Sequence, residues 1–293
     1  MPAHVSLPDS LRSAPFPYRN GIASGLSDKR LRAEDLTAPF RGTRDPTRDY
    51  SIWGLCRTYA TQMDERCFFS SLTAAALMSI PLPTRLAESG AIHVAIVAPH
   101  RCLEGVRVIG HKVQLMGGDY WIRDNLRMST PARTWCELGV ALSIPELVAA
   151  GDFIIHYRSP LASHVDLADA VERYPDRRGK RKLRAALALL SDRAESPMES
   201  VLRAILVLGG IAGLEPNYPI QIAANSYRLD LAIPNRKVAI EYHGDYHRER
   251  TQWRRDMSRR ARIEADGWKY IEVNGDDLRD PVELVTRIKS HIR

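Results

Sequence analysis

Two short apolar runs near the C-terminus carry acidic residues where a strand normally buries apolar side chains. The first run covers residues 227–233 (YRLDLAI) and contains Asp230, and the second covers residues 237–243 (KVAIEYH) and contains Glu241. A short connection with a proline and an asparagine lies between them, which is typical of a turn. Because burying a carboxylate is costly unless something pairs with it, these acids restrict the possible folds.

Strand side chains alternate between the two faces of a sheet. Alternation therefore predicts one face with Lys237, Ala239, Glu241 and His243 and another with Val238, Ile240 and Tyr242. If the two runs pair as a hairpin, Asp230 and Glu241 converge. Two carboxylates beside a basic group can hold a divalent metal ion for phosphodiester hydrolysis. The alternative is a structural salt bridge from Asp230 to Arg228 or Lys237.

The positive charge of the chain is concentrated in two segments. The 293 residues have a formal net charge of +7. Residues 173–184 contain seven Arg or Lys and one Asp, and residues 248–262 contain seven Arg and two acids. Local positive charge favours a polyanionic partner such as nucleic acid, and a solvated helix face is the alternative.

Several protein classes are disfavoured by the composition. No apolar run reaches the roughly 18 residues of a transmembrane helix, and the N-terminus lacks the apolar stretch of a secretory signal. The cysteines are scattered and form no zinc pattern: Cys56, Cys67, Cys102 and Cys136. We therefore expect a cytoplasmic protein with reduced thiols and no membrane partner.

The predicted elements divide the chain into an α+β region, residues 1–185, and an α/β region, residues 196–293, with the boundary near residues 175–195. The N-terminal region is predicted to contain helices at 72–78, 131–142, 145–157 and 165–174 and strands at 92–98 and 106–115. A pair of small helices within residues 21–31 resembles a truncated helix-turn-helix, with a surface helical hairpin as the alternative.

The C-terminal region begins with a helix-start signature. Ser196 can cap the helix, Pro197 suits its first position, and Glu199 suits its third. The elements predicted after this helix are strands at 218–224, 227–233 and 237–242, a helix at 249–266, a strand at 268–273 and a helix at 281–292. This order favours a mixed sheet flanked by helices.

Residues 196–293 resemble the domains related to very-short-patch-repair endonucleases, within the PD-(D/E)XK restriction-endonuclease-like superfamily. The resemblance rests on Ser196 to Glu199, Arg228-Leu-Asp230, Glu241-Tyr-His-Gly244 with His247, Asp256 with Arg260, and Gly267-Trp268 leading into Tyr270 to Val273. The N-terminal region is similar to AbiEi-type antitoxins of toxin–antitoxin systems, on shorter motifs such as Gly25-Leu26-Ser27 and Thr130-Pro131.

The resemblance implies a role for each matching residue. Asp230 and Glu241 would bind Mg²⁺ or Mn²⁺, and Glu199 would support the ion through a water; a simple capping acid is the alternative for Glu199. His243 stands where the superfamily has a lysine, which departs from its pattern. His243 and His247 would orient the attacking water or donate a proton to the leaving oxygen.

The basic residues around this site are predicted to bind DNA: Arg228, Lys237, Arg255, Arg259 and Arg262. The expected function is a Mg²⁺-dependent DNA endonuclease of repair or defence. The alternative is a non-catalytic DNA-binding regulator of the toxin–antitoxin type on a nuclease fold. Loss of the lysine motivates this alternative, since losing one such positive group costs on the order of 10²–10³ in rate.

Overall fold

The computed structural model describes residues 5–87, 90–101, 105–115, 117–175, 178–244 and 250–292, apart from the side chains of residues 87 and 250–255. The chain forms two compact units. Unit 1 comprises Met1–Leu138 with Arg173–Pro175, and unit 2 comprises Gly139–Glu172 with Asp176–Arg293. Unit 2 thus includes helices that were predicted to belong to the N-terminal region, residues 1–185. These helices pack on the C-terminal elements.

The described part of unit 1 combines a mixed sheet with short helices. The helices are α1 (Asp9–Arg12), α2 (Tyr18–Ala23), α3 (Asp28–Leu31), α4 (Ile52–Ala60), α5 (Ser71–Leu77), α6 (Thr84–Ala87) and α7 (Pro131–Leu138). The strands are β1 (Phe16–Pro17), β2 (Thr43–Arg44), β3 (Cys67–Phe69), β4 (Ile92–Val97), β5 (Val108–Val113), β6 (Tyr120–Arg123) and β7 (Leu126–Ser129). Strands β1 and β2 pair separately, and the larger sheet has the order β5-β4-β3-β7-β6.

Several predictions for this unit are confirmed. The predicted strands at 92–98 and 106–115 correspond to β4 and β5, which pair in parallel. The small helices within residues 21–31 are α2 and α3, and the Ser27 hydroxyl caps α3 by accepting from the Arg30 amide at 3.2 Å. The helix predicted at 131–142 is shorter and ends at Leu138, before Gly139.

A buried histidine pair bridges β4 and β5. The His93 Nδ1 and His111 Nε2 atoms are 2.8 Å apart, and the two rings stack with centroids 5.0 Å apart. Burial, together with the neighbouring His111, lowers the pKa of His93 from 6.5 to about 4. Burial also lowers the pKa of His111, while Glu137 opposes that shift. Both rings are therefore held neutral at physiological pH.

The described part of unit 2 has four α-helices before its sheet and two later ones that flank it. The helices are α8 (Ile144–Ile155), α9 (His164–Arg173), α10 (Lys180–Leu187), α11 (Pro197–Leu208), α12 (Arg250–Ala265) and α13 (Pro281–Ile292). The strands are β8 (Glu215–Ile222), β9 (Asn225–Ile233), β10 (Val238–His243) and β11 (Lys269–Asn274), in the order β11-β10-β9-β8. The predicted mixed sheet with flanking helices is confirmed.

The connections explain the strand directions in unit 2. Tight turns join β8 to β9 and β9 to β10, which pair antiparallel, whereas β10 pairs with β11 in parallel. A parallel pair needs a crossover, and helix α12 lies in that connection. Each face of the sheet is then covered by helices, which buries its apolar side chains.

Two apolar clusters hold the sheet of unit 2. One cluster includes Val238 and Ile240 with residues of α11 and α13. The other includes Ala239 with Ile263 of α12 and Trp268, which is 8% exposed. The alternation predicted for the second run is therefore confirmed, and Trp268 lies in the core beneath the sheet. The described helices include none that is long and apolar enough to span a membrane.

The histidine pair predicts a loss of stability in acid. The folded pKa of His93 lies below its unfolded value, so unfolding takes up protons between pH 6.5 and about 4. We expect the unfolding temperature to fall as the pH decreases through this window, and to fall less in a His93→Gln variant. Thermal unfolding at pH 7.5, 6 and 5 measures this, with exposed His164→Gln as the control. Equal pH dependence in the wild type and His93→Gln would contradict the prediction.

Candidate functional site

The face alternation of β9 changes at Asp230. Leu229 packs with Trp268 in one cluster, whereas Leu231 packs in the opposite cluster, although an ideal strand would place both on one face. The β9–β10 register extends from the Ile233–Val238 pair to Leu231–Ile240 and goes no further. On the neighbouring strand β8, Asn217 has a φ of 51° beside this position. Strand β9 is thus kinked at its carboxylate.

The kink brings Asp230 and Glu241 together. The Tyr242 amide donates to Asp230 Oδ2 at 2.9 Å, and the Asp230 amide donates to Glu241 Oε1 at 3.4 Å. Each carboxylate therefore accepts from the backbone of the other strand, in place of regular ladder hydrogen bonds. The predicted convergence of these two acids is present in the structure.

Arg259 of α12 pairs with Glu241. Its two terminal nitrogens donate to the two carboxylate oxygens at 2.8 and 3.1 Å, and one of them also donates to the Arg228 carbonyl. Glu241 is 3% exposed and Arg259 is 29% exposed. Bidentate arginine pairs of this kind are strong and directional. Arg259, predicted as a DNA-binding residue, thus contacts a site carboxylate.

The proximity of Asp230 and Glu241 makes ionisation of both carboxylates less favourable. Burial raises the pKa of Glu241 to about 7, and the nearby Asp230 carboxylate adds to this shift while Arg259 opposes it. Burial also raises the pKa of Asp230, and the Tyr242 amide and Arg259 oppose that shift. A cation placed between two such groups would relieve both penalties.

Glu199 faces the pair from helix α11. The Ser196 hydroxyl accepts from the Glu199 amide at 3.2 Å, so the predicted helix start is confirmed. The Glu199 carboxylate in turn accepts from the Glu195 amide at 3.1 Å. Burial raises the pKa of Glu199, and the charge of Asp230 raises it further. The helix start therefore directs a third acid towards the carboxylate pair.

His243 lies two residues beyond Glu241 on β10. Its Nε2 atom is 3.4 Å from Glu272 Oε1 on β11, and Arg260 contacts the same carboxylate oxygen at 3.3 Å. The site edge thus carries an imidazole next to an arginine and an acid. His247 lies outside the described residues, as does the side chain of Arg255.

The other predicted DNA-binding residues lie apart from one another. Arg262 is exposed and donates to the Tyr227 hydroxyl at 3.1 Å. Lys237 lies at the opposite end of β10 from His243 and donates to the Asp266 carbonyl at 2.8 Å, where it secures the end of α12. The basic segment at residues 173–184 is also partly structural, since Lys182 donates to the Leu142 carbonyl at 2.6 Å.

Sequence reasoning missed a group of residues around Glu195. We call Tyr157, Arg158, Glu195 and Arg228 the Glu195 cluster. Glu195 Oε1 lies 3.2 Å from the Tyr157 hydroxyl, 3.2 Å from Arg158 and 3.1 Å from Arg228. Arg228 was predicted at the site, but nothing in the sequence joins residues 157–158 to it. Their association depends on the packing of α8 against α11.

The donor chemistry of the carboxylate pair fits a hard divalent ion. Asp230 and Glu241 offer only oxygen atoms, and Mg²⁺ typically uses one or two carboxylates and retains several waters. Within the described residues, no group of three His, Cys, Asp or Glu side chains is arranged to hold a metal ion. Arg259 donates to both carboxylate oxygens of Glu241. An ion between Asp230 and Glu241 therefore requires the arginine to release at least one of these oxygens.

The fold and the site define a two-unit α/β protein with a buried carboxylate pair on a mixed sheet. Two Mycobacterium tuberculosis proteins are similar to it: uncharacterized protein MT2308 of strain CDC 1551 / Oshkosh and uncharacterized protein Rv2248 of strain ATCC 25618 / H37Rv. Each is 32% identical over 203 residues, which cover 67% of this chain and 74% of the relative. The chain belongs to the family of these proteins. No family model and no solved structure matches it.

Removing Arg259 should destabilise unit 2 because it leaves Glu241 buried without its partner. We expect Arg259→Gln to cost about 3 kcal/mol, the low end for a broken buried pair because the arginine is partly exposed. The pKa of Glu241 is already raised to about 7. The loss should therefore be larger at pH 8 than at pH 5, where the carboxyl is protonated. Urea denaturation at both values measures it.

Two control variants accompany this measurement. The double variant Arg259→Gln, Glu241→Gln removes the buried charge and should recover much of the stability. Arg260→Gln removes the adjacent arginine, whose pairs with Glu264 and Glu272 are exposed, and should cost less than about 1 kcal/mol. Similar losses for Arg259→Gln and Arg260→Gln would contradict the assigned role of the buried pair.

Proposed function

We propose that this protein is a metal-dependent DNA endonuclease whose C-terminal sheet is restriction-endonuclease-like. The observation that carries the proposal is the convergence of the half-buried Asp230 carboxylate and the buried Glu241 carboxylate at the kink of β9. A sheet rarely buries two adjacent acids without a use for their charge. Perturbed acids at a strand distortion are typical of a functional site.

Asp230 and Glu241 would hold Mg²⁺ or Mn²⁺, and Glu199 would accept a hydrogen bond from a water beside the ion. When bound, the ion supplies stabilisation of the negative charge on phosphate and a lowered pKa of bound water. Arg259, once it releases Glu241, can donate to a phosphate oxygen with the same two nitrogens.

His243 is the residue proposed to move a proton. An imidazole changes its charge near neutral pH, and Glu272 at 3.4 Å orients the ring. His243 would accept a proton from the attacking water or donate one to the leaving oxygen. It thereby takes over part of the role that the superfamily assigns to a lysine.

DNA is the proposed partner because the exposed charge near the site is positive. Arg262 lies exposed on α12, and Arg158 and Arg228 are 57% and 47% exposed beside Glu195. Phosphate contacts of this kind supply binding that does not depend on sequence. We propose a cytoplasmic role in DNA repair or in defence against foreign DNA, with residues 1–185 as a region similar to AbiEi-type antitoxins.

A second candidate is a non-catalytic DNA-binding regulator of the toxin–antitoxin type. The bidentate Arg259–Glu241 pair favours it, since an arginine can permanently replace a cation as the partner of a carboxylate. Loss of the superfamily lysine points the same way. In this case the fold and the DNA binding remain, and the carboxylates have only a structural role.

Cleavage of supercoiled plasmid by the wild type and by Asp230→Asn separates these functions. We expect nicking with Mg²⁺ or Mn²⁺, none with EDTA, and a loss of at least about 10³-fold in the variant, because a metal ligand that bears the transition-state charge is removed. Asp276→Asn, which changes an exposed acid paired with Arg279, is the matched control.

A gel shift on the same DNA completes this experiment. Equal DNA binding by the wild type and Asp230→Asn with metal-dependent nicking by the wild type alone would support the endonuclease. Equal binding without nicking under any metal would reject the endonuclease and support the regulator.

Replacing His243 tests the proton transfer. His243→Ala should lower the nicking rate by about 10²-fold, the lower range for general acid–base catalysis, with DNA binding unchanged. His243→Lys keeps a proton at higher pH and should extend activity to alkaline pH. Rates measured from pH 6 to pH 9.5 report both effects, and His164→Ala is the control. Full activity of His243→Ala would remove this residue from the reaction.

A further inference from the structure

Unit 2 contains a cavity between the end of α8 and the start of α11 that the proposed endonuclease reaction does not use. Its volume is about 300 Å³, at the lower end of the range of about 300–1,000 Å³ typical of small-molecule sites. Its lining includes three apolar side chains and three polar ones: Phe153, Leu161 and Ala194, and His156, Ser159 and Glu195. Such a lining fits a flat group with an apolar face and a polar edge.

The Glu195 cluster lies at the rim of this cavity. Arg158 and Arg228 both contact one oxygen of Glu195, so the two guanidinium groups are close together. Two arginines and one carboxylate leave a net positive charge at the rim. Arg158 also lies over the Tyr157 ring, 5.1 Å from its centroid, which restricts its position. An exposed, restrained pair of arginines is a site for one phosphate group.

Two short connections lead from the rim of the cavity to the carboxylate pair. The Glu195 amide donates to the Glu199 carboxylate. The charge of Asp230 raises the pKa of that carboxylate. Arg228 precedes Asp230 by two residues on β9. A phosphate bound at the rim is therefore adjacent to the place where a phosphodiester would be cleaved.

We infer that the cavity and the Glu195 cluster form a subsite for one nucleotide of the bound DNA strand, with its phosphate on Arg158 and Arg228 and its base in the cavity. This inference rests on the proposed function and extends it by naming a substrate contact. His156 and Ser159 provide donors, and Glu195 provides an acceptor, for the edge of a base. Because the cavity holds a single base, that base leaves the stack, as in other enzymes that extrude nucleotides.

Fluorescence anisotropy of labelled duplex DNA in EDTA tests the phosphate contact without cleavage. Arg158→Gln should weaken binding about tenfold, as expected for one lost charged hydrogen bond. The slope of log affinity against log salt should become shallower by about 0.9. Arg279→Gln is the control, because Arg279 is exposed, pairs with Asp276 and lies outside the two basic segments. Equal slopes and affinities for wild type and Arg158→Gln would overturn the inference.

Two further arms test the base in the cavity. The first uses a set of short duplexes with 2-aminopurine at each position in turn, and we expect a several-fold fluorescence rise at one position. The second titrates deoxyadenosine monophosphate by calorimetry against deoxyadenosine and inorganic phosphate, and we expect only the nucleotide to give a clear isotherm. Ser159→Trp fills the exposed mouth of the cavity and should abolish both signals.

Phe153→Ala removes an apolar wall from the cavity and is a second variant. Unfolding temperatures of Ser159→Trp and Phe153→Ala show whether each variant is folded. A fluorescence rise and nucleotide binding that both disappear in a folded variant would support the inference. Nucleotide binding without a fluorescence rise would overturn it and assign the cavity to a free nucleotide. The absence of both signals would also overturn it.

These experiments distinguish failure of the nucleotide subsite from failure of the endonuclease proposal. Metal-dependent nicking without these signals would remove only the subsite. Arg158-dependent binding with a fluorescence rise, but without nicking, would remove the catalytic proposal and retain the nucleotide subsite on a DNA-binding protein.

Discussion

The burial of the Glu241 carboxylate is the constraint on which the C-terminal sheet depends. A carboxylate that is 3% exposed needs a charge partner and hydrogen bonds. The sheet supplies an amide by kinking at Asp230, and α12 supplies Arg259. The position of α12 is in turn fixed by Ile263, which packs with Trp268 beneath the sheet. The packing of this face and the charge of the site are thus two aspects of one arrangement.

The same burial makes the ionisation of the two acids depend on the positive charge beside them. Two acids with raised pKa values compete for one arginine, and only Glu241 receives its two nitrogens. Asp230 retains a backbone amide and its proximity to Glu199. In the proposed endonuclease, a divalent ion and Arg259 would be alternative partners of the same carboxylate. This competition links the two candidate functions, because the outcome depends on which partner is held more tightly.

The sequence predicted the local features and missed those that depend on distant packing. Strand alternation and the helix cap at Ser196 follow from neighbouring residues, and both were confirmed. The convergence of Asp230 with Glu241 also follows, since a short turn joins their strands. The Arg259–Glu241 pair depends on the crossover of α12, and the contact between Arg158 and Glu195 depends on the packing of α8 with α11. No local pattern carries either contact.

Unit 2 is larger than the endonuclease-like domain predicted at residues 196–293. The resemblance to endonuclease-like domains covers residues 196–293 alone, yet the compact unit begins at Gly139. The similarity to the mycobacterial relatives spans 203 residues, about twice the length of that predicted domain. Helix α8 and the loop after it belong to the same unit as the carboxylate pair, and they bring Arg158 to the rim of the cavity. In the proposed function, the helices that precede residue 196 would contribute to the surface that contacts DNA.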